Sequence, residues 1–329
     1  LAEPFLVRPL VAVVGGDSIL ARELRELLTE TKPAPRVELI SGSSEKLAED
    51  VDEPVVMVPL TADSFKGVAA AFLAGTPASS RKTFKIAPKS TVLIDLTSAL
   101  EDQPNARLRA PMVEKTPLKN VGAVQVIAHP AAIAIAMLLA RLQEAAPIRR
   151  SIVHVFEPAS ERGQKGLDEL QQQNVAVLAF QKLKTKVFDT QLAFAMLARY
   201  GEEAEEPLEG VEQRVERHIA SLLSTREGIP MPSVRVIQAP VFHGHSFSAW
   251  VEFEDNPGVA ALSQALDGDG IDVRPDEPPN NISVAGQNGL SVGAISVDPN
   301  HARACWIWMA ADNFRLSAEN AVAVMKEWT

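Results

Sequence analysis

A single cysteine, Cys305, stands in 329 residues. That excludes an intrachain disulfide and a thiolate metal cluster, and it points to the cytoplasm. No apolar run approaches the ~20 residues needed to span a bilayer. The opening LAEPFLVRPL has neither an n-region nor an h-region, so no signal peptide is expected. Basic residues are the minority, 32 Lys and Arg against 42 Asp and Glu, a formal charge of −10. This balance opposes non-specific binding to nucleic acid or anionic membranes. What is present is ordinary globular composition, 46% hydrophobic and 22% charged, in a chain long enough for two domains.

The first half alternates strands with helices. Leu10 to Val14 is a continuous apolar run of the kind buried on both faces of a parallel sheet. Gly15 and Gly16 turn it into a helix capped by Asp17 or Ser18, with Ile19, Leu20, Leu24, Leu27 and Leu28 on one face. Further strands are predicted over 36–41, 54–60, 91–96 and 122–128, with a helix over 62–74 and a surface excursion over 75–90. The pattern implies a Rossmann-like, doubly wound parallel sheet. Near Pro147 it changes. Strands are expected over 150–156, on either side of Gly244 between 233 and 253, and over 282–285, 290–297 and 304–310. Helices are expected from Gly163 through Leu170, over 209–223 and 257–266, and at the end over 317–328. The fold class is therefore α/β, with a second α+β domain whose sheet is mainly antiparallel. The expected division is 1–147, 148–311, and a closing segment 312–329 that packs back on the first domain. The acidic run 201–209 reads as a solvated loop.

Chemistry is expected where Val126 to Leu142 passes from strand, through His129 and Pro130, into a helix. Yet Ala131, Ala132, Ile133 and Ala134 offer no hydroxyl, thiol or carboxylate. The Gly15 turn can present amides and a helix N-terminus to a pyrophosphate. Its string is GGDSILA, so Ser18 and Ala21 stand where further glycines would, and a tight turn without a ligand is an equal reading. At the end of the second strand, Ser41 has only Lys46 near it to meet a 2′-phosphate. His243 and His245 can face one side, but no third ligand is indicated and no metal is expected; His245 reads better as a base. Cys305 reads as buried and inert.

Several segments together resemble aspartate-semialdehyde dehydrogenases: VAVVGGDSILARELREL, IDLTSALED, AHPAAIA, APVFHGHSFSAWVEF and WMAADNFRLSAENAVAVMKE. They run from residue 11 to 327. The resemblance implies reductive dephosphorylation of β-aspartyl phosphate with NADP(H), through a cysteine thiolate, a histidine and substrate-holding arginines. It also implies a homodimer built through the second domain's sheet.

Transferred by position, most of that set is absent. The nucleophile falls on Ala132, and the asparagine of its turn on His129. The carboxylate-binding arginine falls on Gln238, and the substrate-orienting glutamine on Glu157. The phosphate-site arginine falls on Glu101, and another arginine on Ala294. His245, Asp312 and Asn313 remain, with Gly15 and Gly16 at the cofactor turn. Without a nucleophile the covalent route is closed. The expectation is a degenerate member of the family, similar to its Usg-type relatives, that is catalytically inactive and keeps nucleotide, metabolite or protein binding. The alternatives are an NADP-dependent oxidoreductase of altered chemistry and a structural partner of an active homologue.

Overall fold

The computed structural model describes residues 8–42, 56–115 and 124–328. They fall into two compact units, 1–128 with 317–329, and 129–316. The sequence reading placed the first boundary at residue 147, whereas the helix that follows His129 is grouped with the second unit. Lys46 and the first residues of the strands predicted from 54 and from 122 lie outside the described residues.

The first unit is built on β1 (Leu10–Val14), α1 (Ile19–Glu30), β2 (Arg36–Ile40), β3 (Val68–Leu73), α2 (Pro77–Ile86), β4 (Val92–Asp95), β5 (Ala106–Arg109) and β6 (Val124–Ile127). The six strands pair in parallel in the order β2-β1-β3-β4-β6-β5. Ser18 caps α1 by accepting from the Ala21 N–H, and Ala21, Leu24, Leu27 and Leu28 are the buried face.

Three expectations are corrected here. Among its described residues, 56–60, the stretch 54–60 contributes only an isolated bridge from Val58 to Ile40. The helix over 62–74 is instead a short 3-10 turn, Ala62–Phe65, followed by β3. Gly67, at φ 76°, ends that turn, and Val68–Leu73 fills the gap between β1 and β4. Burial between two strands overrides the helical preference of its alanines. The stretch 75–90 contains α2, opened by Pro77 and a reciprocal cap between Thr76 and Ser79. Its buried face is Ser79, Ser80 and Thr83, hydroxyls in place of an apolar stripe, which hides its period. The edge strand β5, ARLR, has no apolar run to announce it.

The second unit contains α3 (Pro130–Ala145), β7 (Ile148–Glu157), α4 (Gly163–Leu178), α5 (Leu208–Leu223), β8 (Ser233–Gln238), β9 (His245–Phe253), α6 (Val259–Leu266), β10 (Ile271–Arg274), β11 (Leu290–Asp298) and β12 (His301–Ala311). The last helix, α7 (Asn313–Lys326), begins here and ends among residues grouped with the first unit. The sheet order is β10-β11-β12-β9-β7-β8. The three central pairings are antiparallel and the two outer ones parallel, so the sheet is mixed.

The strands flanking Gly244 are not neighbours: β7 lies between them. The strand expected over 282–285 is a set of turns, and β10, four residues long, takes the sheet edge. Phe247, Ala249, Val251 and Phe253 are fully buried on one face of β9. On that side α3, buried along almost its whole length, packs against β7, α5 and α6.

Candidate functional site

The turn into α3 sets the centre of the site. Pro130 occupies the first helical position, and His129 caps the helix through Nδ1, which accepts the Ala131 N–H at 3.2 Å. That bond leaves the ring proton on Nε2, 3.4 Å from Glu161 Oε2. The His129 N–H donates to His218 Nδ1 of α5 at 2.9 Å. Burial first, and then the neighbouring His245, His218, Arg214 and Arg162, hold His129 well below the usual imidazole range. Ala132 is fully buried in the first turn of the helix.

Across the sheet the site continues through paired strands. Glu157 lies opposite Gln238 in the parallel pair β7–β8. On its other side, Phe156 faces Ser246 of β9, so Glu157 and His245 are adjacent on the inward face. Gln238 has spent its amide: Nε2 donates to the carbonyls of Glu157 and Ala239 at 2.8 and 3.1 Å, and Oε1 accepts the Tyr200 hydroxyl at 2.5 Å. It has no free fork to offer a carboxylate.

Glu157 is the opposite case. It is fully buried, and among the described residues neither carboxylate oxygen has a hydrogen-bond partner. Its ion-pair partner, Arg162 Nη2, is 3.5 Å away. Burial pushes the Glu157 carboxyl up to about 8, against the pull of Arg162. Arg162 also pairs with Glu206, which Arg214 holds at 2.6 Å. The Arg162 guanidinium lies over the Tyr200 ring, 5.3 Å from its centroid.

His245 is fully buried, its ring 5.8 Å from that of His129 and 5.6 Å from that of Phe247. Neither ring nitrogen has a hydrogen-bond partner among the described residues. Burial, then the neighbouring His243, push its pKa down to about 3. At neutral pH it is an uncharged imidazole. His243 does not share its surroundings. Gly244, at φ 83°, turns the chain between them, and His243 Nε2 pairs with Asp312 Oδ2 at 2.9 Å.

Asn313 opens α7 with its amide fully engaged. Oδ1 accepts the Gly244 N–H at 3.2 Å, and Nδ2 donates to Glu161 Oε1 at 2.7 Å and Ser160 Oγ at 3.1 Å.

The remaining site positions separate. Gly15, Gly16, Ser18, Ala21, Ser41 and Glu101 belong to the first unit. Gly15 and Gly16 both donate to the Ile40 carbonyl, and the Ser18 hydroxyl donates to the Ala74 carbonyl at 2.7 Å. A Cβ on Gly15 would come within 2.2 Å of Gly75 Cα, so only glycine fits between the two strand ends. Ser41 is buried and donates its N–H to the Val58 carbonyl. Glu101 lies in the turn after β4, which is closed by Asp95 accepting from Thr97 and Leu100. Ala294, in the second unit, is an exposed residue at φ 46° in the irregular part of β11. Among the described residues no group of three His, Cys, Asp or Glu is placed to hold a metal. Cys305 is buried, and burial raises its thiol pKa.

Seven residues of the cluster escaped the sequence reading: Ser160, Glu161, Arg162, Tyr200, Glu206, Arg214 and His218. They come from three distant segments, so no spacing announces them. The acidic run is not simply solvated, since Glu206 turns inward between two arginines.

The family model for the semialdehyde dehydrogenase dimerisation domain matches residues 139–316. The aspartate-semialdehyde dehydrogenase of Rickettsia bellii is 26% identical over 96% of each chain. The USG-1 protein homolog of Azotobacter vinelandii is 29% identical over 95% of each chain. Two solved structures share the fold. Aspartate semialdehyde dehydrogenase II from Vibrio cholerae has a TM-score of 0.79 at 20% identity, covering 97% of this chain and 98% of that one. The Candida albicans aspartate semialdehyde dehydrogenase with NADP has a TM-score of 0.68 at 14% identity, with the same coverage.

Proposed function

We propose that this chain, which belongs to the semialdehyde dehydrogenase family, does not carry out phosphate- and NADP-dependent oxidation of aspartate semialdehyde, and serves instead as a binding subunit. The observation that carries this is Ala132, a methyl group buried in the first turn of α3. No thiolate can form there, and losing the nucleophile of a covalent enzyme costs on the order of a million-fold in turnover.

The surroundings support the same reading. Gln238 is consumed by Tyr200 and two carbonyls. Glu157 and Glu161 bring carboxyl groups to a place that would have to receive a doubly anionic acyl phosphate. His245 and His129 are too strongly desolvated to take up a proton near pH 7.

The dinucleotide turn fits a nucleotide in one respect. The N-terminus of α1 follows a glycine-bearing strand end, and Ser18 supplies its cap. The diphosphate of NADP, which the C. albicans relative holds, would lie against this terminus. The Gly15 and Gly16 amides and the Ser18 hydroxyl are already committed to carbonyls, and weak binding is the expectation. The matched dimerisation domain supports a homodimer, formed through the outer face of the second sheet. Among the described residues no helix is long and apolar enough to cross a membrane, and with its lone cysteine the chain is read as cytoplasmic.

The test is a steady-state assay with aspartate semialdehyde, phosphate and NADP. Neither the protein nor its Ala132→Cys variant is expected to turn over, because Gln238 and Glu157 remain. Measurable turnover by the unaltered protein would overturn the proposal. Calorimetric titration with NADP separately decides whether the first unit binds a nucleotide.

A further inference from the structure

Ser160 lies in the 3-10 turn after β7, in the string Pro158-Ala159-Ser160-Glu161. Its Oγ is 3.2 Å from His243 Nδ1, and His243 Nε2 is 2.9 Å from Asp312 Oδ2. Asp312, when ionised, only accepts, so Nε2 carries the ring proton and Nδ1 is left as the acceptor. The Ser160 hydroxyl then has two acceptors in reach, His243 Nδ1 at 3.2 Å and Asn313 Oδ1 at 3.3 Å, while Asn313 Nδ2–H donates to the same Oγ at 3.1 Å. Asp312 is fixed by more than the histidine: Oδ2 also accepts from the Gly286 N–H, and Oδ1 accepts from the Phe314 and Arg315 N–H groups. Although burial alone would raise it, these bonds and His243 hold its carboxyl below the usual range.

A hydroxyl, a correctly tautomerised imidazole and an ionised, fixed carboxylate thus stand in the order required for nucleophilic acyl transfer. We propose that Ser160, His243 and Asp312 form a serine nucleophile site that hydrolyses small uncharged carboxylic esters.

In this reaction Ser160 Oγ bonds to the acyl carbon and its proton passes to His243 Nδ1. The ester C–O bond breaks, and His243 returns the proton to the departing alkoxide. Water, giving its proton to His243, then attacks the acyl-serine carbon. The carboxylic acid leaves and Ser160 regains its hydrogen. The Asn313 Nδ2 hydrogen that Ser160 Oγ accepts in the resting site is released when Oγ bonds to the acyl carbon, and can then turn to the carbonyl oxygen, where charge develops.

The choice of substrate follows from the setting. Glu161 accepts from Asn313 at 2.7 Å, and Asp312 pairs with His243 at 2.9 Å, so an anionic acyl group is disfavoured. The His243 side chain is 29% exposed while Ser160 is 1% exposed, so an acyl group must be small to enter beside the imidazole.

The probes are p-nitrophenyl acetate for hydrolysis and a small alkyl fluorophosphonate for covalent labelling, followed by peptide mass spectrometry. Hydrolysis above the buffer rate is expected. Ser160→Ala and His243→Gln should each lower it by at least about tenfold, general base catalysis alone contributing roughly 100-fold or more. One fluorophosphonate should be found per chain, on Ser160. Hydrolysis unchanged in Ser160→Ala, or a wild-type protein labelled elsewhere or not at all, overturns the proposal. The labelling uses the unaltered protein and decides the matter even if a variant fails to fold. Asp312 is not used as a test because it also caps α7.

Discussion

Two arginines, one buried and one half-buried, show how differently the two units use charge. In the first unit Arg109 is wholly enclosed, and each guanidinium nitrogen has a partner. Nε donates to Glu114 at 3.0 Å, Nη1 to Gln125 at 3.0 Å, and Nη2 to Glu327 at 2.8 Å. In the second unit Arg162 leaves Nε without a partner among the described residues. It reaches Tyr200 only at 3.4 Å, and stands 3.5 Å from a Glu157 carboxylate that accepts no hydrogen bond. A buried ion pair repays its desolvation only when its remaining lone pairs and protons are satisfied. Arg109 meets that condition and ties the end of the chain, through Glu327, to β5 and the turn after it. Arg162 does not, although it stands among Glu157, Tyr200 and Glu206.

The largest effect that would sharpen this contrast is at Arg109. Arg109→Met leaves Glu114 and Glu327 without their shared cation and should cost about 3–5 kcal/mol, read from urea unfolding. A loss below ~1 kcal/mol would erase the distinction between the two arginines.

Next comes Glu157→Gln. Its folded carboxyl titrates near 8 instead of near 4.5, so the folded state keeps a proton that the unfolded state has released. Stability contributed by this group is therefore full below the unfolded value and declines as pH rises toward 8. The glutamine variant should lack that decline and exceed the wild type at pH 8 by on the order of a few kcal/mol, less whatever Arg162 loses. Parallel stability curves for the two proteins from pH 5 to pH 8.5 would show that Glu157 is as well satisfied as Glu114.

The smallest effect is at the satisfied corner of the second cluster. Tyr200→Phe strands Gln238 Oε1 and should cost about 1–3 kcal/mol in thermal or urea unfolding, with no change in pH dependence below pH 9.

Much of the architecture was open to reading. Apolar runs at 10–14 and 91–96, and the amphipathic stripe of 209–223, carry their period in the side chains, and they became β1, β4 and α5. Where the period was not apolar, reading failed. The buried hydroxyls of α2 look like a polar surface, and the alanines of β3 look like a helix.

The segment from 181 to 200 shows a third reason. Its backbone is held by two polar side chains of α4. Glu169 accepts the N–H groups of Lys186, Val187 and Phe188. Gln173 accepts those of Leu192 and Ala193 and donates to the Lys184 and Thr190 carbonyls. Such order has no local signature, because the partners lie far along the chain. The candidate site divides in the same way. Ala132, Glu157, Gln238 and His245 could be named because they lie in segments that resemble a family's motifs. Arg162, Tyr200, Glu206 and Arg214 could not, since only folding gathers them.

The outer face of the second sheet has an optical consequence. Of the four tryptophans, Trp250, Trp306 and Trp308 project from one side of β9 and β12, with Trp250 directly across from Trp306. The intrinsic emission of the protein is therefore dominated by this face, and dilution that separates two copies paired through it would be followed as a red shift and quenching, without any attached dye.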